Sequence, residues 1–267
     1  MRPPVRDLAV SQPVLLVVPA GSEAAAAAGL YRMPGRKGAD NGVMTRLRPA
    51  VPDSEAFDAD LVGWDAWHPQ EAARRLAGIG APWYVAAGWA LDLFLGEQRR
   101  EHEDLEIAVP SERFGEVVAA LDPLEFHTVS PDPAKPQRAD GRGCTLATPI
   151  ALAGALLESS HQTWALDRAA GAWRLDVFRE PSYNDTWISR RHERIRMPYE
   201  RLIERTREGI PYARPEVVLL FKAKHADRPK DEADFAAVAP LLEPERRRWL
   251  AGALELTHPG HRWLAAL

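Results

Sequence analysis

Residues 87–109 read AGWALDLFLGEQRREHEDLEIAV, and the second half of this stretch decides the fold. Aliphatic residues at positions 105, 107 and 109 alternate with other residues, which predicts a strand over residues 103–109. Because strand side chains alternate between faces, the aliphatic residues point into a core, whereas Asp104 and Glu106 lie side by side opposite. Two carboxylates this close repel each other unless a cation neutralises them, and Mg²⁺ prefers carboxylate oxygens together with substrate phosphates. The same spacing also fits a strand whose outer face is merely polar.

A glycine turn precedes the acidic strand by one helix. A short strand is predicted over residues 83–86, and Gly88 then opens a helix that Gly96 is placed to end. A glycine at a strand-to-helix turn lets backbone N–H groups approach a phosphate closely, and the helix N-terminus adds positive potential. This order favours a single site, with phosphates at the turn and a cation at the acidic strand.

Mixed strands and helices precede a purely helical region, which predicts an α+β fold with a mixed-sheet core and a helical C-terminal part. We place the core at residues 60–190 and the mainly helical part at residues 191–267. Residues 1–55 show no persistent period, and we expect either a disordered tail or an extension from a wrongly chosen start codon. Helices are predicted over residues 69–79, 88–95, 111–121, 231–241 and 245–256 and from 215, and further strands over 125–129, 145–148, 163–166 and 173–178.

Composition excludes several classes of function. The chain has 267 residues with 34 basic and 38 acidic side chains, so no basic excess indicates a nucleic-acid partner. No apolar run is long enough to span a bilayer. Cys144 is the only cysteine, which excludes an internal disulfide and a thiolate zinc site and fits the cytoplasm. The oligomeric state stays open.

Further motifs accompany the turn and the acidic strand. Arg100, His102, Asp104 and Glu106 alternate along the chain, and downstream come WRLDVF (173–178), GIPY (209–212), PEV (215–217), KAK (222–224), RPKDEADF (228–235) and PGHRW (259–263). In this order they resemble the aminoglycoside adenylyltransferase-like branch of the polymerase-β-type nucleotidyltransferases, from about residue 64 to the last residue. Members of that branch show a Gly-Gly-Trp turn followed by Arg-x-His-x-Asp-x-Asp/Glu.

The resemblance implies a fold and a chemistry. It implies a polymerase-β-like nucleotidyltransferase core in which Asp104, Glu106 and Asp176 hold Mg²⁺ against the triphosphate of a nucleotide such as ATP. Asp176 matches the position of the general base that deprotonates the acceptor hydroxyl. From the residues alone, Asp176 could equally be an outward residue on an amphipathic strand.

Other residues are assigned to the nucleotide through the same resemblance. These are the turn residues Ala87, Gly88 and Trp89, together with Arg100, Lys224 and Lys230. Ala87 replaces the first glycine of the family pattern, and its Cβ is expected to crowd the nucleotide or shift the backbone. A core role for Trp89 and a solvated position for Arg100 are the alternatives.

Three further groups are interpreted as structural. His102 is expected to be a hydrogen-bonding residue rather than a ligand, because Mg²⁺ prefers oxygen. Lys222 is expected to be a basic helix end that the helix dipole favours. The run of residues 190–194, RRHER, is expected to be a solvated turn between strands.

The leading hypothesis is Mg²⁺-dependent transfer of a nucleoside monophosphate, AMP from ATP, to a hydroxyl of a small acceptor such as an aminoglycoside. Two alternatives stay open. One is an AMP transferase or antitoxin-like protein with a protein partner, and the other is a non-catalytic nucleotide-binding module, which the alanine at position 87 motivates.

Overall fold

The computed structural model describes residues 55–132, 145–225 and 227–267. The predicted N-terminal tail, apart from its last residue, lies outside the described residues. Within them, no helix is long and apolar enough to cross a membrane.

The described part of the chain contains thirteen short strands. They are β1 Phe57–Asp58, β2 Gly63–Trp64, β3 Tyr84–Val85, β4 Glu106–Pro110, β5 Glu125–Pro131, β6 Thr145–Pro149, β7 Gln162–Asp167, β8 Ala172–Glu180, β9 Ser182–Tyr183, β10 Thr186–Ile188, β11 Arg196–Pro198, β12 Ile203–Arg205 and β13 Pro211–Ala213.

Ten of these strands form one mixed sheet in the order β1-β6-β5-β7-β8-β4-β3-β13-β12, with β2 paired to the start of β8. The pairs β4–β8, β2–β8 and β3–β13 are parallel, and the other pairs are antiparallel. A second sheet has the order β11-β10-β9. The long central strand β8 therefore lies beside β4, which begins at the acidic segment.

Nine α-helices occur in the same ranges. They are α1 Pro69–Arg75, α2 Ala87–Leu95, α3 Phe114–Ala120, α4 Ile150–Ala153, α5 Ala155–Ser159, α6 Tyr199–Leu202, α7 Pro215–Lys222, α8 Pro229–Val238 and α9 Pro244–Thr257. Prolines stand in the first turn of α1, α7, α8 and α9, where a missing N–H costs nothing. Gly96 ends α2 with a φ of 78°, a conformation that glycine adopts readily.

One large hydrophobic cluster joins the sheet to the helices. It contains α2 residues such as Leu91, β4 residues such as Ile107, and α7 and α9 residues such as Leu219 and Leu250, all almost fully buried. A smaller cluster around Trp173 joins side chains of β1 and of the segment after it to those of β5, β6, β7 and β8. Because α7 packs on α2 and α9, the C-terminal helices are held beside the turn that opens α2.

The α+β prediction, a mixed sheet with a helical C-terminal part, is confirmed, and all the longer predicted elements are present. Several boundaries differ by one to four residues, and two of these differences lie near the site or have a clear local cause. The first helix ends at Arg75 instead of residue 79, because Gly78 adopts a φ of 85° that an α-helix cannot contain. The acidic strand begins at Glu106 instead of residue 103, because His102 turns back to bond Asp92 on α2.

Candidate active site

The acidic segment and Asp176 meet where β4 and β8 run parallel. Glu106 is the direct neighbour of Asp176 in the register, and the Asp176 N–H donates to the Leu105 carbonyl at 2.9 Å. Asp104 lies in a bend just before β4 and not within the strand. The expected inward positions of Leu105, Ile107 and Val109 are confirmed, since all three are fully buried. The sheet thus brings the three predicted carboxylates to one region.

The turn between β3 and α2 lies next to these carboxylates. Ala87, Gly88, Asp104 and Glu106 line a cavity of about 310 Å³, which we call the turn cavity. Ala87 has a φ of 48°, a left-handed conformation that glycine adopts readily, although this residue carries a Cβ. A Cβ added at Gly88 would collide with the Arg100 guanidinium and lie 2.7 Å from the His102 ring, so only glycine fits there.

A buried group of side chains supports the turn from below. His102 Nε2 donates to the Asp92 carboxylate at 2.7 Å, and both side chains are almost completely buried. The Trp89 ring stacks on the His102 ring with centroids 4.4 Å apart. Burial lowers the pKa of His102, although the bond to Asp92 opposes this, so the ring is neutral at neutral pH. The structural role expected for His102 is confirmed, and Trp89 packs in the core without lining the turn cavity.

The carboxylates are held in a state that favours protonation. Burial, together with the negative charge of Asp104, raises the pKa of Asp176 to about 7, although a hydrogen bond from Gln162 opposes the shift. Burial and both neighbouring carboxylates raise the pKa of Glu106 well above its usual value. Burial also raises the pKa of Asp104, which Lys230 partly offsets. Because burial and the charge of Asp104 raise the pKa values of Glu106 and Asp176, both acids gain from any ligand that supplies positive charge.

The carboxylate oxygens of these three residues are ligands that a hard divalent cation prefers, but they do not yet form a complete ligand group. Asp176 Oδ1 is buried without a hydrogen-bond partner, while Oδ2 accepts from Gln162 Nε2 at 2.8 Å. Among the described residues, no three histidine, cysteine or acidic side chains form a ready ligand group for a metal ion. An oxygen left free beside two half-buried carboxylates suits Mg²⁺, which keeps several of its own waters and takes few protein ligands.

The predicted basic residues separate into two places. Arg100 and Lys230 line the turn cavity with the carboxylates, and Arg100 Nη2 lies 3.7 Å from Asp234. Lys224 does not line the turn cavity but a larger cavity that shares no lining residue with it. Lys222, which we expected to be only a helix end, lines the turn cavity and lowers the pKa of Glu106.

The expectation for residues 190–194 is only partly confirmed. The run does form the turn between β10 and β11. Arg190 is not solvated, however, because its guanidinium lies 3.1 Å from the carboxylate of the buried Glu180. Arg190 also lines a central cavity of about 470 Å³, which shares Glu106 and Lys230 with the turn cavity.

Gln162 is a site residue that the sequence did not reveal. It belongs to β7 and reaches Asp176 on β8, and it lines the central cavity. A lone glutamine at a strand start carries no signal by itself. Only the register, which sets Trp164 opposite Asp176 and so brings the two strands together, shows what Gln162 contacts.

Sequence comparison supports the resemblance over the segment that carries the turn and the acidic strand. Residues 70–143 match the family model described as aminoglycoside-2''-adenylyltransferase. A 2''-aminoglycoside nucleotidyltransferase of Escherichia coli is 40% identical over 43 residues, which is 16% of this chain and 24% of that protein. One from Klebsiella pneumoniae matches to the same extent. The chain therefore spans about a quarter of the length of these curated relatives.

Solved structures are similar at low identity. A crystal structure of ANT(2")-Ia in complex with adenylyl-2"-tobramycin matches 70% of this chain and 94% of its own at 16% identity and a TM-score of 0.41. Lincomycin-bound LnuA, a lincosamide antibiotic adenylyltransferase, matches 58% of this chain and 83% of its own at 14% identity and a TM-score of 0.36. From its motifs and the family match, the segment of residues 70–143, which carries the turn and the acidic strand, is similar to the aminoglycoside-2''-adenylyltransferase family.

Proposed function

We propose that the protein transfers a nucleoside monophosphate, AMP from ATP, to a hydroxyl group of a small acceptor in a reaction that requires Mg²⁺. The observation that carries the proposal is the meeting of Asp104, Glu106 and Asp176 beside the Gly88 turn. The aminoglycoside class named for the matched family supplies the first acceptors to test.

The residues divide the chemistry between them. The backbone at Ala87 and Gly88 and the cations Arg100 and Lys230 would bind the triphosphate, since phosphate oxygens suit both helix N-termini and guanidinium groups. Asp104, Glu106 and Asp176 would hold Mg²⁺, which supplies positive charge to the triphosphate and to the leaving pyrophosphate when bound.

Asp176 would also receive the proton. The acceptor oxygen forms a bond to the α-phosphorus, the bond from that phosphorus to the bridging oxygen of the β-phosphate breaks, and pyrophosphate leaves. The hydroxyl proton passes to the carboxylate of Asp176. Burial raises the pKa of Asp176 to about 7 in the metal-free protein, and bound Mg²⁺ would lower it and keep the carboxylate ionised, as a proton acceptor must be.

The test is release of pyrophosphate from Mg-ATP with a panel of hydroxylated acceptors, aminoglycosides among them. We expect Asp104→Asn to reduce release on the order of a hundredfold or more, because an amide cannot supply the negative charge that holds the cation. Glu255→Gln, which removes one exposed carboxylate from α9, serves as the matched control and should leave release unchanged. Equal release by the Asp104 variant and the wild type would refute the assigned role.

A further inference from the structure

A third cavity adjoins the candidate active site, and its charged lining residues are more often basic than acidic. It has a volume of about 1070 Å³ and shares His161, Gln162, Arg190, Arg191 and His225 with the central cavity. Four arginine or lysine side chains line it against two glutamates. We call it the arginine cavity, defined by Arg179, Arg190, Arg191 and Lys224.

Arg179 is the buried cation of this cavity. Its residue is only 7% exposed, and its guanidinium donates to neutral oxygens alone: Thr163 Oγ1 at 2.9 Å, the Ser160 carbonyl at 2.6 Å and the Leu157 carbonyl. These bonds fix the group without neutralising it. Burying a cation without a carboxylate partner costs free energy. The charge of Arg179 therefore gives this part of the cavity a positive potential.

The other cations add to this potential. Arg191 and Lys224 are exposed at the cavity and form no ion pair within the ranges that the structure covers. Burial and the positive charges of Arg190, Arg179 and Arg191 lower the pKa of His161 to about 4. Arg190 is paired with Glu180, so among the described residues the cavity cations without a carboxylate partner are Arg179, Arg191 and Lys224.

The position of the cavity relates it to the acceptor rather than to the nucleotide. Gln162, which donates to Asp176, lies in its wall, whereas Ala87, Gly88 and Lys230 do not. The turn cavity already has Arg100 and Lys230 for a triphosphate. The arginine cavity therefore lies on the side of the general base, where an acceptor would enter.

We propose that the arginine cavity is an anion subsite that binds a phosphate or carboxylate group of the acceptor. This inference rests on the proposed function and specifies the substrate class of the same site. Arginine forks bind such oxyanions with two parallel hydrogen bonds, and a cavity lined by one sign of charge raises the local concentration of the opposite sign.

The proposal makes the acceptor chemically different from an aminoglycoside. Aminoglycosides carry ammonium groups, which these arginines would repel, so such a compound could not use the subsite. The acceptor expected for this chain is a hydroxylated compound with one acidic group, and uncharged analogues should be poorer substrates.

The first experiment measures binding of inorganic phosphate to the metal-free protein by calorimetry. We expect the double variant Arg191→Gln/Lys224→Gln to bind phosphate about tenfold or more weakly than the wild type, since two charge-assisted bonds are lost. Both residues are exposed, so the variant should fold. Arg207→Gln, which removes an exposed arginine outside this cavity, is the control and should bind like the wild type. Equal binding by all three proteins would overturn the subsite.

The second experiment identifies which partner carries the anion. Pyrophosphate release is compared for matched acceptors, a hexose and the same hexose 6-phosphate, in the wild type and the double variant. We expect the wild type to prefer the phosphorylated acceptor about tenfold, the variant to lose this preference, and the KM for ATP to stay unchanged. A raised KM for ATP with an unchanged acceptor preference would instead assign the cations to the nucleotide and overturn the proposal.

A third outcome separates the two proposals. If phosphate binding depends on Arg191 and Lys224 but no acceptor gives pyrophosphate release, the anion site is retained and the proposed transfer reaction is wrong.

Discussion

Ala87, at the turn that opens α2, has a φ of 48°. Such a left-handed backbone costs an L-residue about 1 kcal/mol. We expect Ala87→Gly to raise the free energy of unfolding by about 0.5 kcal/mol, because relief of this strain exceeds the extra entropy that glycine gives the unfolded chain. Urea unfolding measures the change. Ala73→Gly within α1 is the matched control and should lower the free energy by about 0.5–1 kcal/mol. A less stable Ala87 variant would contradict the strain.

For single residues, the sequence predicted a role correctly where that role depends on neighbours along the chain. His102 and Gly88 belong to this group, since one helix of fixed length separates the turn from the acidic segment. Lys222 was misjudged, because only the packing of α7 against α2 brings its ammonium group to the turn cavity. Contacts made by folding of distant segments leave no local pattern.

Among the elements, α7 and α8 are joined by a small charged group. Lys222 Nζ lies 2.8 Å from Asp231 and 2.8 Å from Asp234, and all three side chains are largely buried. We expect Lys222→Met to lower the free energy of unfolding by about 3 kcal/mol, because the buried Asp231 loses its counter-charge and Asp234 keeps only the more distant Arg100. Urea unfolding at neutral pH measures this loss.

Lys230→Met is the control for that change. Lys230 lies on α8 but is exposed, so its replacement should cost less than about 0.5 kcal/mol. Equal effects of the two substitutions would show that Lys222 does not join the helices.

Elements with a strong hydrophobic period were predictable, and very short ones were not. The long strand β8 and the helix α9 follow such a period, whereas β9, β12 and β13 have two or three residues each and exist through their partners. The start of β4 was wrong by three residues, since alternation continues through residues 103–105 although His102 pulls the chain towards α2. Periodicity records which side chains are apolar but not where tertiary contacts bend the chain.

For the whole molecule, the three carboxylates make stability depend on pH. The pKa of Asp176 is raised from 3.8 to about 7, so the folded protein keeps a proton that the unfolded chain has already released. The contribution of Asp176 to the free energy of unfolding is therefore greatest below about pH 4. It falls as the pH rises from there towards 7. We expect Asp176→Asn to stabilise the metal-free protein by about 2–4 kcal/mol at pH 8, because the amide never ionises.

Unfolding by urea at about pH 4.5 and pH 8, with a chelator or with Mg²⁺, measures this effect. The gain of the variant should shrink at the lower pH, and Mg²⁺ should stabilise the wild type more than the variant. A gain that is the same at both pH values would mean that the substitution acts through packing and not through charge.

The parallel pairing of β4 with β8 joins residues that are seventy positions apart, with β5, β6 and β7 between them in the chain. We expect the β4–β8 pairing to form late in refolding, because hairpins between neighbouring strands close shorter loops and form sooner. A nascent or truncated chain that ends before Ala172 would contain the matched motif and yet lack the third acid. Cation affinity should therefore appear only after the central strands dock, which makes it a reporter of completed assembly.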